Sequence, residues 1–240
     1  MAENPPIPEL MQFYELSEQN PEELLKQMAE IRFLKEEKKE APEELLVLSK
    51  FVYSLTATKK RGFAEFLLLD EYSWSYSTPS NFGAYRSRKI SSMFPEAKVA
   101  DISCGSGSQL LELCKETAAI GFEKDTLRYW LAKINVNLAF HLKYIPIKPP
   151  IYNLDGLSVE AQALAKEALV ILCDSWREGE NYSPDLKDVF NIYKGKFIVY
   201  ELKPLERINF VLQRYPFLFS KSEIEYFGEG ERCSRLTVYF

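Results

Sequence analysis

VADISCGSGSQLLELCKETAAIGFEKD, residues 99–125, carries the clearest structural pattern in this chain. Its apolar beginning predicts a strand over 98–102, and a glycine-containing turn follows that strand. The spacing of apolar residues predicts a helix over 108–116, and residues 118–122 predict a second strand. The order strand, turn, helix and strand predicts a βαβ unit with two parallel strands.

The two strand ends of this unit suggest a nucleoside site. Asp101 ends the first strand, Gly105 and Gly107 let the backbone pass close to a ligand, and the following helix offers free N–H groups. Glu123 ends the second strand, where a carboxylate can accept hydrogen bonds from both ribose hydroxyls. A glycine turn without a ligand is the alternative. A dinucleotide site is less favoured, because Leu110 occupies the place of the third glycine in G-x-G-x-x-G.

Beyond Asp125, which is a good N-cap for the next helix, apolar runs and helical patterns alternate. This alternation predicts an α/β fold with a mainly parallel sheet and helices on both faces. The last two strands are separated only by a short segment around 228–231, so they are expected to form an antiparallel hairpin. The strands after the βαβ unit are predicted at 169–173, 197–202, 224–227 and 236–240.

The first part of the chain is expected to be helical. Asn20 and Pro21 begin one helix, and Pro42 begins another whose apolar residues continue to Leu55. We therefore predict a small helical N-terminal region over 1–94 and an α/β domain over 95–240.

Composition excludes several classes of protein. With 46% hydrophobic residues and 27% charged residues, the chain is expected to fold, and a net charge of −5 gives no overall attraction to phosphate backbones. The single histidine, His141, makes histidine-based catalysis improbable. The absence of a signal-like N-terminus and of a long apolar run predicts a cytoplasmic protein without membrane contact. No metal site or disulfide framework is expected, because no two cysteines form a CxxC pair: they are Cys104, Cys114, Cys173 and Cys233.

The segment 99–125 resembles motifs I and II of class I S-adenosylmethionine-dependent methyltransferases, a family with a Rossmann-like sheet that ends in an antiparallel strand. A closer likeness begins upstream, at KKRGFAEFLLLDEYSWSYSTPSNFGAYRSRKI, residues 59–90. This segment is similar to the region ahead of motif I in prokaryotic methyltransferases with a THUMP-like domain, and to the trimethylguanosine synthase group. Their "TP…R…R" pattern corresponds here to Thr78-Pro79, Arg86 and Arg88. The chain ends at Phe240, so we expect it to lack the THUMP-like domain.

The resemblance implies S-adenosylmethionine as the cofactor and assigns its contacts by position. Glu123 would hold the ribose, Phe122 or Lys124 would lie near the adenine, and Asp155 would lie near the adenine amino group. An ordinary turn aspartate is an equally good interpretation of Asp155. The methionine part would be lined by Asp101, Cys104, Gly105 and Gly107.

The residues after the fourth predicted strand are expected to face the reacting group. Amine methyltransferases of this family commonly have an acid or asparagine, two prolines and an aromatic residue there. This chain has Asp174-Ser175-Trp176-Arg177, which keeps the acceptor Asp174 and the stacking plane Trp176 but lacks the prolines. Arg177 matches an arginine of the THUMP-like relatives and is expected to contact the substrate.

A local basic patch accompanies the upstream segment, with aromatic residues among its cations. Arginines beside aromatic planes suit single-stranded or looped RNA, and a solvated face is the alternative. We therefore predict an RNA methyltransferase acting on a tRNA or rRNA base. The alternatives are a weak or inactive cofactor- or RNA-binding module whose partner protein supplies the THUMP-like domain, and a small-molecule or protein methyltransferase. The patch comprises Lys59, Lys60, Arg61, Arg86, Arg88 and Lys89.

Overall fold

The computed structural model of the protein describes residues 8–178, 181–202, 213–216, 222–229 and 232–240. Its N-terminal part is helical, as predicted. The helices there are α1 (Pro8–Gln19), α2 (Pro21–Glu36), α3 (Leu46–Ser49), α4 (Leu55–Arg61), α5 (Glu71–Tyr76) and α6 (Ser80–Met93), with a 3-10 turn at Glu43–Leu45 before α3. No helix in the described ranges combines the length and the apolar character that crossing a membrane requires.

The predicted start of α2 is confirmed, whereas the single helix predicted from Pro42 to Leu55 is wrong. That segment is divided because the Lys35 ammonium binds the carbonyl oxygens of Ser49 at 2.7 Å and Val52 at 2.6 Å. These contacts satisfy carbonyls that a continuous helix would have used. A new helix, α4, then begins after Ser54, whose hydroxyl accepts from the backbone N–H of Ala57 at 3.3 Å.

The second part alternates strands and helices. Its helices are α7 (Ser108–Glu116), α8 (Thr126–His141), α9 (Val159–Leu164) and α10 (Leu186–Ile192). Its strands are β1 (Val99–Asp101), β2 (Ala119–Phe122), β3 (Ile151–Tyr152), β4 (Val170–Asp174), β5 (Trp176–Glu178), β6 (Asn181–Ser183), β7 (Phe197–Leu202), β8 (Glu223–Glu229) and β9 (Arg232–Tyr239).

Seven strands form the main sheet in the order β3-β2-β1-β4-β7-β9-β8. The five strands β3, β2, β1, β4 and β7 are parallel to one another, and β9 lies antiparallel between β7 and β8. The predicted α/β fold, its parallel sheet and its terminal antiparallel hairpin are therefore confirmed. The separate antiparallel pair β5–β6 was not anticipated from the sequence.

Apolar side chains cover both faces of this sheet. One large cluster joins Leu24 and Met28 of α2 to Leu131 and Ile134 of α8, so the helical N-terminal part packs into the same core as the βαβ unit. A second cluster includes Ile171 of β4 together with residues of α9 and α10. The division at residue 94 stays a prediction.

The loop after β3 crosses very close to the end of β1. A β-carbon at Gly156 would lie 2.2 Å from the carbonyl oxygen of Ile102, which no side chain tolerates. We predict that Gly156→Ala lowers the free energy of unfolding by about 3 kcal/mol, the upper range for overpacking a tight site. Gly195→Ala is the control, because its positive φ of 85° strains the backbone but its β-carbon meets nothing within 4 Å. Denaturant unfolding would measure both, and equal losses would contradict the close packing at Gly156.

Candidate functional site

A cavity of about 1020 Å³ opens at the edge of the sheet where the parallel strands end. Its volume is in the range of pockets that hold a cofactor-sized ligand. The turn after β1, the end of β2, the loop after β3 and the ends of β4 and β7 all contribute to its wall. The predicted cofactor and acceptor residues that line it are Cys104, Gly105, Glu123, Lys124, Asp155 and Asp174.

The two glycines of the turn after β1 have different surroundings. Gly105 has a φ of 55°, and a β-carbon there would meet nothing within 4 Å, so the bare backbone faces open space. Gly107 has a φ of 90°, does not line the cavity and caps the N-terminus of α7. Its added β-carbon would lie 3.4 Å from that of Ala132 in α8. Gly105 is therefore suited to close approach of a ligand, and Gly107 to helix packing.

Glu123 lies at the cavity wall with its carboxylate in a fixed orientation. Oε2 accepts from the backbone N–H of Gly105 at 2.8 Å, and Oε1 accepts from that of Asp125 at 2.8 Å. Burial is the main cause that raises the pKa of Glu123, although both hydrogen bonds and Arg128 oppose it. Each carboxylate oxygen retains a second lone pair, so Glu123 can accept further hydrogen bonds from a ligand.

Asp101 is almost completely buried beneath the turn and does not line the cavity. Its Oδ1 accepts from the backbone N–H of Ser103 at 3.2 Å, whereas its buried Oδ2 has no hydrogen-bond partner. Burial, and then the negative charge of Asp174, raise the pKa of Asp101 well above its ordinary value. An unsatisfied buried carboxylate oxygen beside a glycine turn fits a ligand that brings its own donor.

Asp155 lies on the exposed rim of the cavity, and its Oδ1 accepts from the backbone N–H of Leu157 at 2.9 Å. Asn153, which sequence reasoning missed, links neighbouring strand ends: its side-chain amide donates to the carbonyl oxygen of Glu123 at 2.8 Å. Ser108 and Gln109, also missed, line the cavity at the first turn of α7. In the sequence, their position directly after a glycine turn is the signal that could have identified them.

The far end of the cavity is built around Asp174. Its Oδ2 accepts from the Thr78 hydroxyl at 2.6 Å, and its Oδ1 accepts from the Arg86 guanidinium at 2.5 Å. Arg86 also forms an ion pair with Glu201 at the end of β7. Glu201 was missed as a site residue, although an acid inside the apolar run FIVYEL was a signal for it. Thr78 and Arg86 both belong to the "TP…R…R" pattern. Their contacts with Asp174 and Glu201 attach helix α6, and the residues just before it, to the sheet.

The basic patch predicted from the sequence is not one surface. Arg86 has no exposed area, so its predicted contact with RNA is corrected: a guanidinium enclosed by two carboxylates offers nothing to a phosphate. Lys89 pairs with Glu223 at 2.6 Å and Glu225 at 3.2 Å. Arg88 is exposed on α6, and Arg61 lines the cavity. The side chains of Trp176 and Arg177 lie outside the described part of the structure.

An aromatic and cationic wall borders the cavity on the side of α5. Tyr72 and Tyr76 line it with their ring centroids 4.8 Å apart, and the Arg128 guanidinium lies 4.3 Å from the Tyr72 ring centroid. Lys124 and Arg128 also contribute to the lining. Trp74, in contrast, stacks on Tyr53 at a centroid distance of 3.9 Å and serves packing.

Comparisons with known proteins identify the fold. No protein-family model matches the sequence, and no curated protein matches it. Among solved structures, a candidate methyltransferase from Porphyromonas gingivalis W83 aligns over 98% of this chain with a TM-score of 0.63 and 17% identity. The chain spans 58% of the length of that protein.

Two further structures are similar. A candidate class I S-adenosylmethionine-dependent methyltransferase from Listeria monocytogenes aligns over 97% of this chain and 87% of its own length, with a TM-score of 0.53 and 14% identity. The tRNA (m1A58) methyltransferase TrmI from Aquifex aeolicus aligns over 78% of this chain and 76% of its own, with a TM-score of 0.51 and 16% identity. These likenesses show that the chain has the fold of class I S-adenosylmethionine-dependent methyltransferases.

The buried, unsatisfied Asp101 gives a prediction about stability. Because its folded pKa is raised, its contribution to stability is complete below the unfolded pKa of about 3.9 and is lost as pH rises through the folded pKa. We predict that Asp101→Asn stabilises the ligand-free protein at neutral pH, on the order of 1 kcal/mol, and flattens this pH dependence. Denaturant unfolding at several pH values measures both effects. The exposed Asp188→Asn is the matched control, and a destabilised Asp101→Asn protein would contradict the interpretation.

Proposed function

We propose that this protein is an S-adenosylmethionine-dependent methyltransferase that acts on an RNA base. The observation that carries the proposal is that one cavity holds both groups of residues. Gly105 and Glu123 line one end of it, and Asp174 lines the other. A cofactor site and a substrate site are thereby adjacent, as the transfer of a group between two bound molecules requires.

The residues at the glycine turn fit the cofactor. Gly105 provides the open cradle that a side chain would fill. Glu123 would accept from the ribose hydroxyls, and Asp155 on the rim would lie near the adenine. The N-terminus of α7, at Ser108 and Gln109, offers N–H groups to the carboxylate of the methionine part. Bound there, S-adenosylmethionine supplies the methyl group.

The far end of the cavity suits a substrate group that donates hydrogen bonds. Asp174 keeps lone pairs beyond those used by Thr78 and Arg86, because an ionised carboxylate has about four acceptor positions. Asp174 would hold the N–H of an exocyclic base amine and so orient its nitrogen toward the methyl group. The chemistry of this end therefore favours an amine over a carboxylate or phosphate.

The wall beside α5 favours a nucleic acid as the molecule that carries this amine. Tyr76 is 48% exposed and provides a plane on which a base can stack. Arg61 and Lys124 line the same cavity as Tyr76. These residues supply a local positive charge that the acidic chain as a whole lacks. In this proposal the contact with RNA is made by Tyr76, Arg61 and Lys124 and not by the buried Arg86.

Glu123 allows a direct test of the cofactor site. We predict that the parent protein binds S-adenosylhomocysteine and that Glu123→Ala weakens binding by about 2–4 kcal/mol, because two charge-assisted hydrogen bonds are lost. Isothermal titration calorimetry measures the affinity. Glu167→Ala, which removes an exposed carboxylate on another surface, is the control. Equal affinity in the Glu123→Ala protein and the control would remove Glu123 from the site, and no binding by the parent would refute the assignment.

RNA contact is tested separately at the α5 wall. Tyr76→Ala should weaken binding of single-stranded RNA by about 1–3 kcal/mol, the contribution of one stacking plane. Arg61→Gln should reduce the slope of log affinity against log salt by about 0.7, because one phosphate contact is lost. Fluorescence anisotropy over a salt series measures both. Lys26→Gln, at an exposed cation of α2, is the control, and variants that bind like this control would contradict RNA contact at the wall.

A further inference from the structure

Arg86 connects three separate parts of the chain at the substrate end of the cavity. It lies in the middle of α6, and its guanidinium donates to Asp174 at the end of β4 and to Glu201 at the end of β7. Its other face packs on the Phe82 ring, 4.5 Å from the ring centroid. Both carboxylate partners line the cavity, while the arginine itself has no exposed area.

The charges in this group explain why an arginine is required. Burial opposes the charge of Arg86, but Asp174 and Glu201 outweigh burial and raise the pKa of the guanidinium. The two carboxylates stand on paired residues of adjacent parallel strands, since Asp174 is in register with Glu201. The Arg86 guanidinium pairs with both through its two terminal nitrogens, which offsets the repulsion between these two negative charges.

We propose that Arg86 is a positioning residue, which fixes Asp174 in one orientation as an acceptor-only carboxylate and thereby selects a substrate group that donates N–H. This inference rests on the proposed function. Thr78 completes the arrangement by donating to the oxygen that Arg86 does not reach. Arg86, which has no exposed area, thus takes part in methyl transfer without touching the substrate.

Other titratable groups lie near these ion pairs. Asp101 at the end of β1 and Cys173 in β4 interact electrostatically with Asp174, and Tyr239 of β9 interacts with Arg86. None of these three groups is a cation, whereas Arg86 forms an ion pair with each of the two carboxylates.

The test measures methyl transfer and cofactor affinity in variants of Arg86. In Arg86→Met the Asp174 carboxylate loses the group that fixes its orientation, so kcat for methyl transfer should fall by a factor of about 10², while affinity for S-adenosylhomocysteine stays that of the parent. Arg86→Lys should restore part of this rate, because an ammonium keeps the charge but cannot bridge both carboxylates. Arg32→Met, which removes a partly buried arginine anchor that does not line the cavity, is the control.

Comparison of kcat with KM separates positioning from folding. A positioning role predicts that kcat falls with little change in KM, whereas damage to the fold would also weaken cofactor binding. If Arg86→Met does not fold, Arg86→Lys decides, and its kcat should lie below that of the parent. A parental kcat in the folded variants would overturn the role of Arg86. A parent that binds S-adenosylhomocysteine but transfers no methyl group would contradict the proposed function instead.

Discussion

The central strand β1 forms hydrogen bonds to parallel neighbours on both sides, and the positions of the strand-end residues in the cavity follow from this pairing. Asp101 is in register with Gly121 of β2 on one side and with Leu172 of β4 on the other. Parallel strands end at the same edge of a sheet, so the loops that follow them must meet there. Gly105, Glu123 and Asp174 therefore share one space although they are far apart in the sequence.

The helical N-terminal part completes this edge. Helix α5 provides Tyr72 and Tyr76 as one wall, and the segment that follows brings Thr78 to the end of β4. Charged groups that leave water pay a desolvation cost, and a buried ion pair is often no more stable than apolar packing. The two ion pairs of Arg86 lie at the wall of the cavity. Their position therefore indicates a chemical role more than a stabilising one. Apolar side chains of the N-terminal helices and of α8 pack in one buried cluster, and this burial stabilises the attachment.

Much of the fold could be predicted because its signals are local. The turn after β1, the N-cap Asp125 and the short separation of the last two strands act within a few residues, and the structure has all three features. The break between α3 and α4 could not be predicted, since it depends on Lys35, which lies on another helix.

The candidate site shows the same limit. Arg86, Arg88 and Lys89 are close in the sequence and similar in type, yet a helix turns them to different sides. One is enclosed by carboxylates, one is exposed and one pairs with the edge strand β8. The packing of α6 on the sheet decides which of these cations is enclosed, which is exposed and which is paired with β8. The glycine turn and Glu123 were predictable because the βαβ unit fixes their relative position by itself.

The claim that this cavity transfers methyl groups to RNA is tested most directly by a labelling experiment. The protein and its Asp174→Ala variant are incubated with S-adenosylmethionine carrying a tritium-labelled methyl group and with total RNA, and label in the RNA is counted. The account predicts that the parent labels RNA and that the variant does so more slowly by a factor of about 10²–10³, with equal affinity for S-adenosylhomocysteine. Equal labelling by both proteins, or cofactor binding without any labelling by the parent, would contradict it.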